Sequence, residues 1–331
     1  MDLELLVIGD SSAGWHGAVT AAQLGHKVGL IALPSSSDAS RSDLRQIPNE
    51  VLSDSLADWP LTGTVKANAR RQAEWLRFTA YVKATWRHEI EIYRDQLLAA
   101  GGQIWVGSPV LTGSQSATVV SPDSAVVDLD AQQMLIATGT EPRRPQFAGM
   151  ELPKVSDAAR LLDAAVLPKA ACVVGAGITG LRAACLMAEW GVKVRVIDGR
   201  SRTSLLNDEE TSDLRRQADE LGVTFECGED VIGLKSGAGR KVVITLESGH
   251  QIETESVWLA TGRHGRTDDL QLENAELSAD ECGRLWCGAD LRTWTESICA
   301  VGDVVGYTPE IGSEKELVNQ AVRTLLAPAF V

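Results

Sequence analysis

The chain has 331 residues, 44% of them apolar and 23% charged, with a net charge of −14. That length suffices for two domains with full hydrophobic cores, and the composition is ordinary for a globular protein. The negative charge argues against nucleic acid or an anionic membrane as a general partner, and no apolar run is long enough to span a bilayer.

The expected elements begin at once. LELLVIG reads as a strand, residues 17–24 as a helix and KVGLIA as a second strand. So little chain precedes the first strand that a cleaved signal is not expected, which points to a cytoplasmic location. Gly9 and Gly14 keep two positions of a G-x-G-x-x-G dinucleotide turn, but Ser11 holds the middle one. The second strand ends in Ala32, where a ribose-binding carboxylate is expected. A Cβ at Ser11 crowds the closest backbone approach to a phosphate, and Asp10 adds a negative charge nearby. The fold of this unit follows from the pattern; a dinucleotide ligand does not.

Residues 34–46 are rich in Ser, Asp and Arg and read as an exposed connection. Residues 49–100 are mostly helical in pattern, and the pair Gly101 and Gly102 suits a helix stop. Four short strand-like runs follow: QIWVG, ATVVS, AVVDL and QMLIATG. The next unit, from about Lys169 to Val257, carries an intact glycine turn. VVGAGITG sets Gly175, Gly177 and Gly180 between an apolar strand and a helix, and the following strand, VKVRVID, ends in Asp198. The first glycine permits the tight turn, the second the approach of a pyrophosphate, and the third close helix packing. The acid accepts ribose hydroxyls. Strand, glycines, helix and acid in register make a specific signal where the glycines alone would not.

Strands and hairpins complete this unit, and after Thr267 the chain returns to the first domain with ICAVGD and a last helix over 314–326. The expected fold is α/β with two Rossmann-like domains. Residues 149–264 are expected to form an NAD-type domain inserted within a first dinucleotide-type domain of residues 1–148 and 265–331. Six cysteines include no C-x-x-C and no zinc-like cluster, so no metal is expected. Cys172, Cys185, Cys227 and Cys299 read as small buried hydrophobes.

These features together resemble the pyridine nucleotide-disulfide oxidoreductase family of flavoproteins, over essentially the whole chain. LIATGTEPRRP resembles the family's link between its FAD and NAD domains, and WLATGRHGRTDDLQLENAEL resembles the exit from the NAD domain. ICAVGDVVGY resembles the motif whose Asp, here Asp303, holds the ribityl chain of FAD. GRHGRTDDLQLEN and VGDVVGY are most similar to the soluble, Si-specific NAD(P) transhydrogenases. The resemblance implies that Gly175, Gly177, Gly180 and Asp198 hold NAD(H) or NADP(H), with Gly262 and Arg263 beside them. It implies that Gly9, Gly14, Thr138 and Gly139, with Ser11 at the altered position, line the FAD site together with Asp303. Asp198 favours NAD(H); Arg200 and Arg202 follow it, either as acceptors of a 2′-phosphate or as solvated loop residues.

Three departures qualify that picture. Arg41 and Gln46 stand where lipoamide-type members carry their redox cysteines, so disulfide chemistry is not expected there. Cys282 and Cys287 repeat the cysteine spacing, but at a glycine turn remote from the flavin in the family. A counterpart of the family's C-terminal interface domain, with its His-Glu pair, is not expected from the residues given, nor is the family's usual homodimer. Finally, a Lys and a Glu that pair near the family's flavin are replaced by Glu50 and Arg182. Either the ion pair persists with its signs exchanged and joins the domains, or these are unrelated surface changes. A thioredoxin-reductase-like enzyme would need C-x-x-C in its NAD domain and is rejected.

The expected function is hydride transfer between nicotinamide cofactors through a flavin. The alternative is a flavin-free descendant that binds NAD or acts as a scaffold. Trp15, next to the altered turn, is a candidate for filling the space a cofactor would use.

Overall fold

The computed structural model describes residues 2–34, 55, 68–143, 145–206, 211–308 and 312–327. They fall into two compact units, one within 1–40, 86–141 and 263–331, the other within 41–85 and 142–262.

The first unit opens with strand β1 (Asp2–Ile8), helix α1 (Ser12–Gln23) and strand β2 (Val28–Ala32). Helix α2 (Asn68–Ala99) begins among residues of the second unit and ends among those of the first. It stops just before Gly101, whose φ of +83° supplies the left-handed step that ends many helices. Strands β3 (Gln103–Val106), β4 (Ser108–Gly113), β5 (Ser116–Val120) and β6 (Val126–Ile136) follow. The sheet order is β3-β2-β1-β6-β5-β4. AVVDL and QMLIATG, read from the sequence as separate runs, contribute to the single strand β6. Its first half alternates exposed and covered residues against antiparallel β5, and its last three residues are buried beside parallel β1. The change of environment along one strand explains the change of pattern.

The second unit contains β7 (Val155–Asp157), β8 (Ala170–Val174), α3 (Ile178–Glu189), β9 (Lys193–Asp198), α4 (Ser212–Glu220) and β10 (Thr224–Cys227). A meander of β11 (Val231–Ser236), β12 (Val242–Leu246) and β13 (Gln251–Thr254) precedes β14 (Ser256–Leu259). The parallel sheet runs β10-β9-β8-β14-β7. The first turns of α2 are fixed here: Trp75 and Phe78 are fully buried, Trp75 lies edge-on to Trp190 at 5.4 Å, and its indole N–H donates to the Ala164 carbonyl at 2.8 Å.

The chain then completes the first unit with β15 (Ile298–Ala300), parallel to β6, and helix α5 (Glu314–Leu326). Helix α5 starts where the sequence predicts because Ser313 and Glu316 form a reciprocal capping box. Alternation along β1 sends Leu5 and Val7 into the core shared with α1 and α5, and Leu6 and Ile8 into the core on the opposite face. No helix among the described residues is long and apolar enough to cross a membrane.

Candidate functional site

The two glycine turns are built alike. Gly9 and Gly175 have φ of +109° and +108°, and a Cβ on either would strike a carbonyl, that of Ala137 at 2.5 Å or Ala260 at 2.2 Å. Gly14 and Gly180 are packed against their own turns: a Cβ there would lie 2.1 Å from the Gly9 carbonyl or 2.0 Å from that of Gly175. Backbone bonds repeat as well. Gly9 N–H donates to Ile31 and Gly175 N–H to Ile197, while Ala137 N–H donates to Ile8 and Ala260 N–H to Val174. These pairings equate Ala32 with Asp198, Asp10 with Ala176, and Ser11 with Gly177.

The middle position is where the turns diverge. Gly177 caps α3 with no side-chain bond, and a Cβ on it would meet nothing within 4 Å. Its backbone therefore faces open space at a helix N-terminus, which suits a phosphate. Ser11 is instead the N-cap of α1: its hydroxyl accepts from Gly14 N–H at 3.2 Å and donates to the Ala137 carbonyl at 2.8 Å. The helix consequently begins at Ser12, earlier than residue 17. The serine reads as damage in the sequence, whereas in the structure its side chain is folded back onto the turn.

Asp198 ends β9 with its side chain largely buried. One carboxylate oxygen accepts from Ala176 N–H at 2.6 Å, and the other from Arg200 N–H at 2.9 Å and Arg200 Nε at 3.0 Å. Burial alone would raise this carboxyl, but the bonds from Arg200 and Ala176 outweigh it and hold the group below the usual aspartate range. In the first unit Ala32 leaves no such group. There Asp10 accepts from Leu33 N–H at 3.3 Å.

Leu33 and Pro34 line a cavity of about 230 Å³ in the first unit, with Ser108, Thr138, Arg266 and Asp269. Thr138 is 4% exposed, and its hydroxyl has no hydrogen-bond partner among the described residues. A buried hydroxyl left in that condition beside a cavity fits a bound ligand. The matching Thr261 instead donates to the Arg143 carbonyl at 3.2 Å, and the Gly262 carbonyl accepts from Arg143 N–H at 3.0 Å. Gly139 follows Thr138 with φ of +67°.

Arg263 is placed with the first unit. Its Nε donates to the Thr140 hydroxyl at 2.6 Å, its terminal nitrogen to the Thr140 carbonyl at 2.7 Å, and the Thr140 hydroxyl to Asp303 at 3.5 Å. Thr140 was not legible as a site residue although it lies within LIATGTEPRRP, since the partners that give it a role, Arg263 and Asp303, are 123 and 163 positions away. Ser12 was missed for another reason: its hydroxyl donates to Glu314 of α5 at 2.6 Å, a partner 302 positions away.

Trp15 does not fill a cofactor space. It is 5% exposed and belongs to the α1–α5 core cluster. Cys282 and Cys287 are free thiols like the other four cysteines. Burial pushes Cys287 and Cys172 up to about 11 and Cys185 up to about 12, so these thiols stay protonated. Arg182 is half-buried on α3; Glu50, its expected partner, lies outside the described residues, as do Arg41 and Gln46.

The description of the pyridine nucleotide-disulphide oxidoreductase family matches residues 3–324. The chain belongs to this family. Soluble pyridine nucleotide transhydrogenase of Mycobacterium tuberculosis (strain ATCC 25177 / H37Ra) is 30% identical over 320 residues, covering 92% of this chain and 67% of the relative. The enzyme of the same name from Pseudomonas putida (strain W619) is 27% identical over 322 residues, covering 94% and 68%. Among solved structures, the HOCl-induced flavoprotein disulfide reductase RclA of Escherichia coli, as its Cu(II) complex, matches with a TM-score of 0.80 at 21% identity, over 98% of this chain and 70% of that one. LpdA of Mycobacterium tuberculosis gives 0.75 at 22% identity, over 97% and 72%. Members of this family use FAD and nicotinamide dinucleotides, and the α/β fold with Rossmann-type units is the family's own.

Proposed function

We propose that this chain is an FAD-dependent oxidoreductase that passes hydride between nicotinamide dinucleotides through the flavin, without a disulfide. The observation that carries this reading is the repeated glycine turn, with its matched carbonyl contacts at Gly9 and Gly14 and at Gly175 and Gly180. Residues 1–148 and 265–331 are taken as the flavin-type domain and 149–264 as the nicotinamide-type domain, bounds that differ from the compact units at 41–85, 142–148 and 263–264. The relatives named as transhydrogenases support the same assignment.

In this reading Gly175, Gly177 and Gly180 receive the nicotinamide dinucleotide's pyrophosphate at the N-terminus of α3, and Asp198 accepts the ribose hydroxyls. Asp198 is held ionised, so NAD(H) is favoured; Arg200, already on that carboxylate, is the group that would meet a 2′-phosphate. Thr138 offers its unpartnered hydroxyl to the adenosine half of FAD, and Asp303 the ribityl chain. Arg263 positions Asp303 through Thr140. FAD, when bound, supplies the two-electron carrier that no side chain here provides. The protonated cysteines take no chemical part.

The test is transfer from NADPH to an oxidised NAD analogue by FAD-loaded protein, before and after thiol alkylation. The reading expects transfer that alkylation leaves unchanged; no transfer, or loss on alkylation, would overturn it. A flavin-free nicotinamide-binding protein is the second reading, favoured by the Glu314 carboxylate set on the first turn of α1.

A further inference from the structure

Where a dinucleotide unit lacks the acid at the end of its second strand, something else must satisfy the ribose or the site loses affinity. In the second unit, the Asp198 carboxylate spans from the end of β9 to the Ala176 amide in the glycine turn, at 2.6 Å. In the first unit the gap is spanned in the opposite sense. Asp10 stands at the turn position matched by Ala176, and its carboxylate reaches the amide of Leu33, the residue after Ala32, at 3.3 Å. Both units therefore hold one carboxylate between the glycine turn and the end of the second strand, although it is attached to different elements.

We propose that Asp10 is the ribose-binding carboxylate of the first unit, transferred from the strand end to the glycine turn. The inference rests on the proposed flavin reading and adds a residue to it. Three observations support it. Ala32 leaves the strand-end position without a polar side chain. Asp10 is turned toward β2, and its oxygen accepts from the backbone there. Leu33, whose amide it holds, lines the cavity that also contains the unpartnered Thr138 hydroxyl. The charge that looks hostile to a pyrophosphate in the sequence is thus directed at a sugar position, where hydroxyl donors meet a carboxylate favourably.

The test is titration of apoprotein with FAD and with an FAD analogue lacking the adenosine ribose hydroxyls, followed by flavin fluorescence. Wild type should bind the analogue about ten- to a hundredfold more weakly than FAD, the range for hydrogen bonds to a charged group. Asp10→Ala should bind FAD as weakly as the analogue, with no further difference between the two ligands. Ala32→Asp in that background should restore the preference from the strand end, while the vanished difference between the two ligands in Asp10→Ala is the result that a merely structural role would not produce. Asp10→Asn, which keeps an acceptor for Leu33, provides a variant expected to fold, and should show an intermediate loss. Equal or tighter FAD binding by Asp10→Ala and Asp10→Asn, with wild type binding normally, would overturn this inference alone. No FAD uptake by wild type would overturn both it and the flavin reading.

Discussion

Asp198 and Arg200 form a two-point ion pair at the end of β9, with Nε to Oδ1 at 3.0 Å and the terminal nitrogen to Oδ2 at 3.3 Å. The carboxylate that would accept ribose hydroxyls is thus bound to the cation that would accept a 2′-phosphate, and cofactor preference depends on which of the two is uncovered. Replacing Asp198 by Ser frees Arg200. The ratio of NADPH to NADH affinity should then rise about tenfold or more, as measured by nicotinamide fluorescence titration. An unchanged ratio would separate this pair from cofactor choice.

The same carboxylate gives a pH dependence. Its folded pKa lies below the usual aspartate range, so it contributes stability at neutral pH that is lost as pH falls through the lowered value. Wild type should therefore melt above Asp198→Asn near neutrality. The gap should narrow only once the pH drops below about 4, where the unfolded carboxyl takes up its proton first. Melting curves of both proteins across that range measure the difference.

Gly177 and Gly180 should separate binding from folding. Gly177→Ala adds a Cβ into open space, so thermal stability should be retained while nicotinamide binding weakens. Gly180→Ala places a Cβ 2.0 Å from a carbonyl and should cost about 1–3 kcal/mol of stability. Denaturant unfolding and ligand titration of the two variants provide the comparison.

Ser11→Gly removes a cap and restores the family's middle glycine. The loss of stability should be a few tenths of a kcal/mol, while Ser11→Ala should cost about 1 kcal/mol. FAD affinity should rise in the glycine variant, as the backbone at the helix N-terminus becomes accessible.

Glu314 places a carboxylate on the first turn of α1, where helix polarity favours an anion and a pyrophosphate would compete. Glu314→Gln should tighten FAD binding about two- to fivefold at low ionic strength, with the gain shrinking as salt screens it. Titrations at low and high salt test both parts.

Much of this was legible in the sequence, for identifiable reasons. The intact turn was readable because Gly175 and Gly180 answer local backbone demands and Gly177 keeps the spacing between them. The last helix was readable because Ser313 and Glu316 cap it within one turn. The altered turn was not, because the role of Ser11 depends on where its hydroxyl points, and that is decided by the Ala137 carbonyl 126 positions away. Trp15 was misassigned since a helix position next to a motif does not reveal which side the side chain takes. The Arg263–Thr140–Asp303 chain and the Ser12–Glu314 bond join segments remote in sequence, and neither leaves a spacing to find.

The most direct test of the account is the visible absorption spectrum of the protein after incubation with FAD and removal of the excess, followed by anaerobic addition of NADH or NADPH. The account predicts a retained flavin band that bleaches with a nicotinamide donor and returns when an oxidised nicotinamide is supplied. A protein that retains no flavin, or whose flavin band is unmoved by either donor, would contradict it.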